Sequence, residues 1–312
     1  MKSVLLSVLF LMMPVLLLAQ DGKDKKTLLD SLENPTVKDN YTYYKIVKNH
    51  NIPSDSYEIR NYYRSGKLYA EGKTTDSLGY NKTGKFITYY ENGNKKSEGS
   101  YTNSNPTGPY KTWYENGKLQ MDAEYFDTEK TIGNLKINQF YDAKGKQTVK
   151  DGNGVYEEES YGGKSSGKIK NGLKEGEWKG SNTTTKATFI EFYNAGNLIS
   201  GESTDSDSQK YPYREILENP EPYKGMTNFY KYVAANFHIE NVDTPVSDKI
   251  IVSFIVEKDG SVANIKILKG LGGQLDLEAK RIVKKYNGWK PGKVRGMFAR
   301  ISLALPIAIH ID

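Results

Sequence analysis

The middle of the chain repeats a short pattern in which two aromatic residues are followed by a turn and a glycine. The five copies are Tyr62-Tyr63-Arg-Ser-Gly66, Tyr89-Tyr90-Glu-Asn-Gly93, Trp113-Tyr114-Glu-Asn-Gly117, Phe140-Tyr141-Asp-Ala-Lys-Gly145 and Phe192-Tyr193-Asn-Ala-Gly196. Their glycines lie 27, 24, 28 and 51 residues apart, and a less regular copy, Gly172-Leu-Lys-Glu-Gly176-Glu-Trp178, occupies the widest gap. Such a period predicts an array of small units that bury their hydrophobic faces against one another.

Each copy predicts a β-hairpin. The aromatic positions lie on one strand, Asn-Gly or Ala-Gly reverses the chain at positive φ, and a lysine-rich strand returns. The 24 Tyr and 29 Gly of the chain agree with short strands and many turns. Because a lone hairpin is only marginally stable in water, neighbouring hairpins are expected to stack and bury their aromatic stripes. An aromatic face that binds sugar or peptide is the alternative.

On these residues, the segment from about Tyr57 to Ser203 resembles the MORN-repeat variant family. The resemblance implies a β-hairpin array used for interaction or spacing, with no shared chemistry. The stretch Thr183-Thr-Thr-Lys-Ala187 departs from the repeat and is expected to form an enlarged loop.

The N-terminal residues 1–19 have the pattern of an export signal. Lys2 precedes an apolar run from Val4 to Ala19, which is shorter than the roughly 20 residues of a membrane-spanning helix. Pro14 and the small Ala19 predict cleavage after Ala19 and a periplasmic protein. An uncleaved anchor in the inner membrane is the alternative. The chain has no Cys, which excludes disulfides, thiolate catalysis and cysteine-ligated metals.

Two polar segments flank the predicted array. Residues 20–56 are assigned to an N-terminal tether, with a short helix-like piece at Lys26 to Leu32 and an aromatic strand around Tyr41 to Val47. Residues 204–222 are assigned to a linker, because they begin with an Asp- and Ser-rich run and end in a proline-rich one.

Residues 223–312 predict a small α+β domain. Apolar residues recur at helical spacing from Met226 to Phe237 and again from Leu275 to Tyr286. Between them, Ile250 to Val256 alternates as a strand, Asp259-Gly260 supplies a turn, and Val262 to Leu268 returns. A final strand alternates from Ala299 to Ile311. The predicted fold class is therefore mostly β, with a hairpin array followed by a domain that has a small antiparallel sheet and two helices.

Pro306 lies inside the final strand. Proline has no N–H to donate to a sheet ladder, so it predicts an edge strand whose proline nitrogen faces away from its neighbour. A long edge strand is a template to which another extended chain can pair. The candidate partner-binding residues are those just before the proline: Arg300, Ile301, Ser302, Leu303, Ala304 and Leu305.

The last part of the chain contains a distinctive set of short motifs: Pro220-Glu-Pro, Phe229-Tyr230-Lys231-Tyr232, Val252 to Ser261, Gly272-Gly273, Glu278-Ala279, Trp289-Lys-Pro-Gly-Lys293 and Leu305-Pro306-Ile307. On these residues it resembles the C-terminal domain of TonB, the energy transducer of Gram-negative envelopes. The resemblance implies docking onto a short extended segment of a TonB-dependent outer-membrane receptor through the last strand. Trp289 is expected to be a packed anchor rather than a ligand contact.

Two features of TonB proteins are missing from the sequence. The N-terminal apolar run has no ionisable residue that would meet a proton-driven motor, and no long proline-rich spacer precedes the last domain. The predicted function is therefore docking in TonB-dependent transport, with the array as scaffold or spacer. The alternative is a membrane-anchored energy transducer that also binds inner-membrane motor proteins.

Chemistry-bearing residues are sparse. His50, His238 and His310 are isolated in the sequence, and no metal-binding, nucleophile or phosphate-loop motif occurs. The net charge of +6 comes with no basic run interleaved with aromatics, so no nucleic-acid partner is predicted. The chain is expected to be non-enzymatic, with no cofactor and no metal. A glycan-binding or glycan-acting envelope protein is the less favoured alternative.

Overall fold

A computed structural model describes residues 22–128, 134–160, 162–238 and 246–311. The predicted export signal lies outside these residues. The chain divides into two compact units, Met1–Asp151 and Gly152–Asp312.

The first unit is a run of antiparallel strands in which each strand pairs with the next along the chain. The strands are β1 (Lys25–Leu29), β2 (Tyr43–Val47), β3 (Tyr57–Tyr63), β4 (Leu68–Thr74), β5 (Lys82–Tyr89), β6 (Lys95–Thr102), β7 (Asn105–Trp113), β8 (Leu119–Phe126), β9 (Asn134–Tyr141) and β10 (Gln147–Lys150), with a 3₁₀ turn at Lys38–Asn40. The hairpin array predicted from the aromatic repeat is therefore confirmed.

The N-terminal part of this unit differs from the prediction. The helix-like piece at Lys26 to Leu32 is wrong, because Lys25–Leu29 forms β1 and pairs along its whole length with β2. The seven residues of the predicted piece are too few to form a stable helix alone, whereas β2 provides backbone partners for a strand. The predicted aromatic strand is β2 itself.

The hairpin turns are of two kinds. At Gly66, Gly93, Gly117 and Gly145 the glycine has φ between 80° and 92°, and its N–H donates to the carbonyl three residues earlier. This is a type I turn closed by a glycine bulge. At Asn103–Ser104 both residues have positive φ, as in a two-residue hairpin turn. The predicted positive φ is thus confirmed at the repeat glycines of this unit.

Glycines inside the strands make room for aromatic rings on the neighbouring strand. A Cβ at Gly99 would lie 2.7 Å from the ring of Tyr110, and one at Gly72 would lie 2.5 Å from that of Phe86. Each ring lies against the bare backbone of a glycine, where any side chain would collide with it. The glycine content seen in the sequence therefore serves packing between strands as well as turns.

The second aromatic residue of the first three repeats joins one hairpin to the next. The Tyr63 hydroxyl donates to the Tyr89 carbonyl at 2.8 Å, and the hydroxyls of Tyr90 and Tyr114 make the same bond one hairpin further along, to Trp113 at 2.9 Å and Tyr141 at 2.7 Å. Burial raises the pKa of Tyr63 to about 12 and also raises that of Tyr90, so both hydroxyls keep their protons at neutral pH. These tyrosine struts fix the spacing of successive hairpins.

The second unit begins with six more antiparallel strands in chain order. They are β11 (Asn153–Ser160), β12 (Gly163–Lys170), β13 (Leu173–Asn182), β14 (Thr188–Asn194), β15 (Asn197–Thr204) and β16 (Lys210–Tyr213). The less regular repeat is a true hairpin that turns at Asn171–Gly172, both with positive φ. The enlarged loop predicted at 183–187 connects β13 to β14.

Among its described residues, the terminal part of this unit has two helices and three small sheets. Its elements are β17 (Leu217–Glu218), β18 (Glu221–Pro222), α1 (Gly225–Asn236), β19 (Val246–Val256), β20 (Val262–Lys269), α2 (Gly273–Lys285), β21 (Trp289–Lys290), β22 (Lys293–Val294), β23 (Met297–Phe298) and β24 (Ile301–Ile311). The main sheet has the order β20-β19-β24, and β17 and β18 pair with β22 and β21.

The core of the terminal part lies between the main sheet and the two helices. Phe229 and Val233 of α1 and Ala279, Ile282 and Val283 of α2 are buried against it. The sheet contributes Ile250, Val252, Phe254, Val256, Ile307 and Ile309. These are the faces predicted from helical and strand periodicity. The α+β fold expected for the end of the chain is thereby confirmed.

Short strands also occur where a linker is predicted. Residues 204–222 contain β16, β17 and β18, each paired with another strand of the second unit. The division into tether, array, linker and terminal domain stays a prediction. The predicted linker contains paired strands as well as turns.

Candidate functional site

The strand β24 forms one edge of the main sheet. All eleven of its residues are in register with β19, from Ile301 opposite Val256 to Ile311 opposite Val246. Within the described part of the chain no further strand pairs with β24. The edge predicted from Pro306 is therefore present.

Pro306 lies opposite Ile251 in the ladder with β19. In an antiparallel pair the N–H and C=O of one residue point to the same side, and successive residues alternate sides. Since a proline nitrogen cannot donate, its position is tolerated where that nitrogen faces away from β19. Ser302, Ala304 and Ala308 share this parity, so their backbone groups also point toward the open edge.

Side chains of β24 alternate between the core and the surface. Ile307 and Ile309 are buried, and Leu303 and Leu305 pack against the core. Ser302, Ala304, Ala308 and His310 are exposed. The core-facing side chains are held by packing, which leaves the backbone of the outer edge well positioned for a partner strand.

A groove of about 830 Å³ lies between α1 and the C-terminal half of β24. Its walls are Tyr230, Val233, Ala234 and Phe237 of α1, the strand residues Pro306–His310, and Lys249. Tyr230 and Ala234 belong to the predicted apolar face of α1, yet both are exposed. The apolar stripe of α1 is therefore wider than the surface it buries, and the excess lines the groove.

The C-terminal end of α1 is fastened to α2. The carboxylate of Glu278 accepts from the Arg281 side chain at 2.5 and 2.6 Å and from the His238 N–H at 2.9 Å. Arg281 also donates to the Asn236 carbonyl at 2.7 Å. These bonds, with the guanidinium first, lower the pKa of Glu278 to about 2. The wall of the groove thus rests on an ion pair that stays charged at neutral pH.

The predicted partner-binding residues lie in the other half of the same edge. Ile301 to Leu305 form the first part of β24, and Arg300, just before it, donates to the Glu257 carboxylate at 2.7 Å. The groove is formed instead by residues from Pro306 onward. Tyr230, Ala234 and Phe237 were not named as site residues from the sequence. The width of the apolar face of α1, which exceeds what the core can bury, was the signal that could have found them.

Trp289 is a packed anchor, as predicted. Only 1% of the residue is exposed, and its ring contacts those of Phe229, Phe254 and Tyr286 at centroid distances of 5.2–5.8 Å. It holds α1, α2 and β19 together behind the open edge.

The sequence of the terminal sheet matches a known family model. Residues 245–308 match the Gram-negative bacterial TonB protein C-terminal family. The match spans β19 to β24 and so includes the open edge of this TonB-like domain. The family is associated with TonB-dependent transport and the cell envelope, and its domains interact with TonB-dependent outer-membrane receptors.

Two segments of the array match the MORN repeat variant family, at residues 82–103 and 106–127. They correspond to β5–β6 and β7–β8, the two hairpins with the clearest aromatic repeat. No curated protein matches the chain.

Two kinds of feature are absent from the residues that the structure describes. None of the helices in this part of the chain is long and apolar enough to cross a membrane. No group of three or more His, Asp or Glu side chains there is arranged to hold a metal ion.

Proposed function

We propose that the chain is a non-enzymatic periplasmic protein whose TonB-like domain binds an extended segment of a TonB-dependent outer-membrane receptor by strand addition to β24. The hairpin array serves as scaffold or spacer. Export through cleavage after Ala19 and the domain limits predicted from the sequence are parts of the same proposal.

The observation that carries the proposal is the open edge of β24 beside an apolar groove. A strand added to this edge would lie about 4.8 Å from β24. Its backbone would pair with Ser302, Ala304 and Ala308, and every second side chain would point toward Tyr230, Ala234 and Phe237. The partner is therefore an extended segment with apolar residues at alternate positions.

Pro306 divides the edge into two pairing segments. A partner that pairs with the predicted residues 300–305 gains outward N–H donors at Ser302 and Ala304, and beyond the proline its side chains reach the groove. The predicted residues and the groove are thus two halves of one binding surface in this proposal.

Ser302→Pro tests the mechanism. The substitution removes an N–H that points to the open edge and leaves the ladder to β19 intact, whereas Leu303→Pro removes a donor to β19 and should unfold the sheet. Binding is measured by fluorescence polarisation with synthetic peptides that span the periplasm-facing segments of TonB-dependent receptors. We expect Ser302→Pro to weaken binding by about tenfold or more, which is about 1.4 kcal/mol.

The matched control is Ser302→Ala, which keeps the backbone N–H and should bind like the wild type. Far-UV circular dichroism establishes that Ser302→Pro is folded. Unchanged affinity in a folded Ser302→Pro protein would rule out strand addition at this edge.

A membrane-anchored energy transducer of the TonB family remains the second candidate, because the TonB-like match holds for both. N-terminal analysis of the exported protein separates them. A mature chain that starts near Gln20 supports the periplasmic protein, and an intact Met1 chain in the inner-membrane fraction supports the transducer. If the protein instead binds or acts on cell-wall glycan, the hairpin array alone should bind that glycan. A pull-down with purified cell-wall glycan measures this binding.

A further inference from the structure

A carboxylate lies on the buried face of β14. Residues of this strand alternate between exposed and buried, and the buried ones are Phe189, Glu191 and Tyr193. Glu191 is 0% exposed, between two buried aromatic side chains. A buried carboxylate is costly unless it is paired and hydrogen-bonded, so its partners explain why the position is tolerated.

Three donors converge on Glu191. The Tyr193 hydroxyl donates to Oε2 at 2.9 Å, and the Tyr213 hydroxyl donates to Oε1 at 2.8 Å. The third donor is Nε of Arg295, at 2.8 Å from Oε1. The two tyrosines belong to the array, but Arg295 belongs to the terminal part of the chain, 104 residues away.

The arginine is held from a second side. Its guanidinium lies 3.9 Å from the centre of the Phe189 ring, within the range of a cation–π contact. Arg295 has φ +50° and Gly296 has φ +77°, because these two residues form the turn between β22 and β23. The same turn is fixed by the Arg295 N–H, which donates to the Ile216 carbonyl at 2.7 Å.

The turn also packs closely on the last strand of the array. A Cβ at Gly296 would lie 3.0 Å from the Tyr211 carbonyl oxygen of β16. Between the end of β16 at Tyr213 and the start of β17 at Leu217 there are three residues, 214–216. Even fully extended, these residues span only about 10 Å. The connection is short and its two ends are both paired.

We propose that Glu191 and Arg295 form a latch that docks the 295–296 turn onto hairpins β13–β16, so that the TonB-like domain is held in one orientation on the end of the array. The surface around Glu191 is then an interface whose partner is the terminal domain of the same chain. The predicted linker is a docked connection, and the array positions the domain instead of tethering it.

The physical reason favours orientation over stability. A buried ion pair gains little net stability, because the desolvation of both charges offsets their attraction, whereas removal of one partner leaves an unpaired buried charge. A guanidinium displaced from Glu191 would thus leave a buried anion behind, and this penalises every other orientation of the domain. The pair therefore selects one arrangement.

The test uses the absence of cysteine from the chain. Lys179→Cys on β13 and Lys284→Cys on α2 are exposed positions for a pair of spin labels. Double electron–electron resonance on the full-length protein should give one narrow distribution of distances between the two labels. Adding Arg295→Ala should broaden it at least twofold, and adding Arg300→Ala, which removes a surface arginine paired with Glu257, should leave it narrow.

A second variant covers the case in which Arg295→Ala disturbs the hairpins. Glu191→Gln with Arg295→Met leaves no buried charge and nearly keeps the volume. The amide oxygen still accepts from one tyrosine hydroxyl, and the amide NH2 can donate to the hydroxyl oxygen of the other. Circular dichroism should show it folded, with a broad distance distribution. A broad distribution in the labelled parent, or a narrow one in the folded double variant, would overturn the latch.

Discussion

The two fully buried tryptophans of the second unit differ in one respect that can be measured. Trp178 is 0% exposed and Trp289 is 1% exposed. The indole N–H of Trp178 donates to the Lys168 carbonyl at 3.1 Å. The indole N–H of Trp289 is buried and finds no acceptor among the residues that the structure describes. Substitution by phenylalanine removes the indole N–H in both cases, but only one of them loses a hydrogen bond.

The expected magnitudes follow from three contributions. Replacing indole by phenyl removes about two buried carbons, which costs about 1.5 kcal/mol at about 0.8 kcal/mol per group. Trp178→Phe also loses a hydrogen bond of about 1 kcal/mol. Trp289→Phe instead removes an unsatisfied buried donor, which relieves about 1–3 kcal/mol. We therefore expect Trp178→Phe to lower the free energy of unfolding by about 2.5 kcal/mol. For Trp289→Phe the expected change runs from a loss of about 0.5 kcal/mol to a gain of about 1.5 kcal/mol.

Urea unfolding followed by far-UV circular dichroism measures both free energies of unfolding without relying on tryptophan fluorescence. Hydrogen exchange of peptides from β13 and β19 separates the array from the TonB-like domain, in case the two unfold in different steps. The reasoning fails if Trp289→Phe is as destabilising as Trp178→Phe. That result would mean that the Trp289 N–H contributes as much to stability as the bonded one.

Two further changes test the array and the wall of the groove. Tyr90→Phe removes one tyrosine strut, so hydrogen exchange in β5–β8 should report a loss of stability of about 0.5–1.5 kcal/mol. The control Tyr80→Phe, at an exposed position, should change the stability by almost nothing. Equal effects of the two substitutions would show that the strut is not needed. Glu278→Gln tests the ion pair with Arg281. Because the folded-state pKa of Glu278, about 2, lies below its ordinary value of 4.5, the stabilisation from the ionised carboxylate is present above about pH 4.5 and is lost as the pH falls toward 2. The difference in urea midpoint between wild type and Glu278→Gln should therefore shrink over that range, and a difference that is independent of pH would contradict the assignment.

Periodicity in the sequence predicted much of the fold because each pattern has one physical reading. The alternation before and after Asp259-Gly260 corresponds to β19 and β20, and both helices begin and end within two residues of their apolar stripes. Pro306 indicated an edge because a missing donor has few tolerated positions in a sheet. Local chemistry was sufficient in these places.

Other features depend on partners that are distant in the sequence. Lys25–Leu29 is a strand only because β2 pairs with it. The groove required knowledge of where α1 lies relative to β24, so Tyr230 and Ala234 could be assigned only to the face of a helix. Glu191 is the instructive case. It was not singled out from the sequence, and only the fold shows that it lies on the buried face of β14 with Phe189 and Tyr193 and that Arg295 supplies the matching charge.

An exposed edge of eleven residues is a hazard as well as the proposed binding surface, and the sequence of β24 bears on both. Open edges promote pairing with any extended chain, and proline and charged side chains limit this. Pro306 interrupts the row of outward N–H donors near its middle. An arbitrary extended chain can therefore form an unbroken hydrogen-bond ladder only on one side of the proline. A partner that also fills the groove beside Tyr230 and Phe237 would gain binding free energy from side-chain burial. This gain would offset the backbone hydrogen bond that Pro306 cannot make. If the proposed strand addition occurs, selectivity at this edge follows from the proline and the groove together. Pro306→Ala should then strengthen pairing with alternating peptides in general and reduce the preference for those that fit the groove.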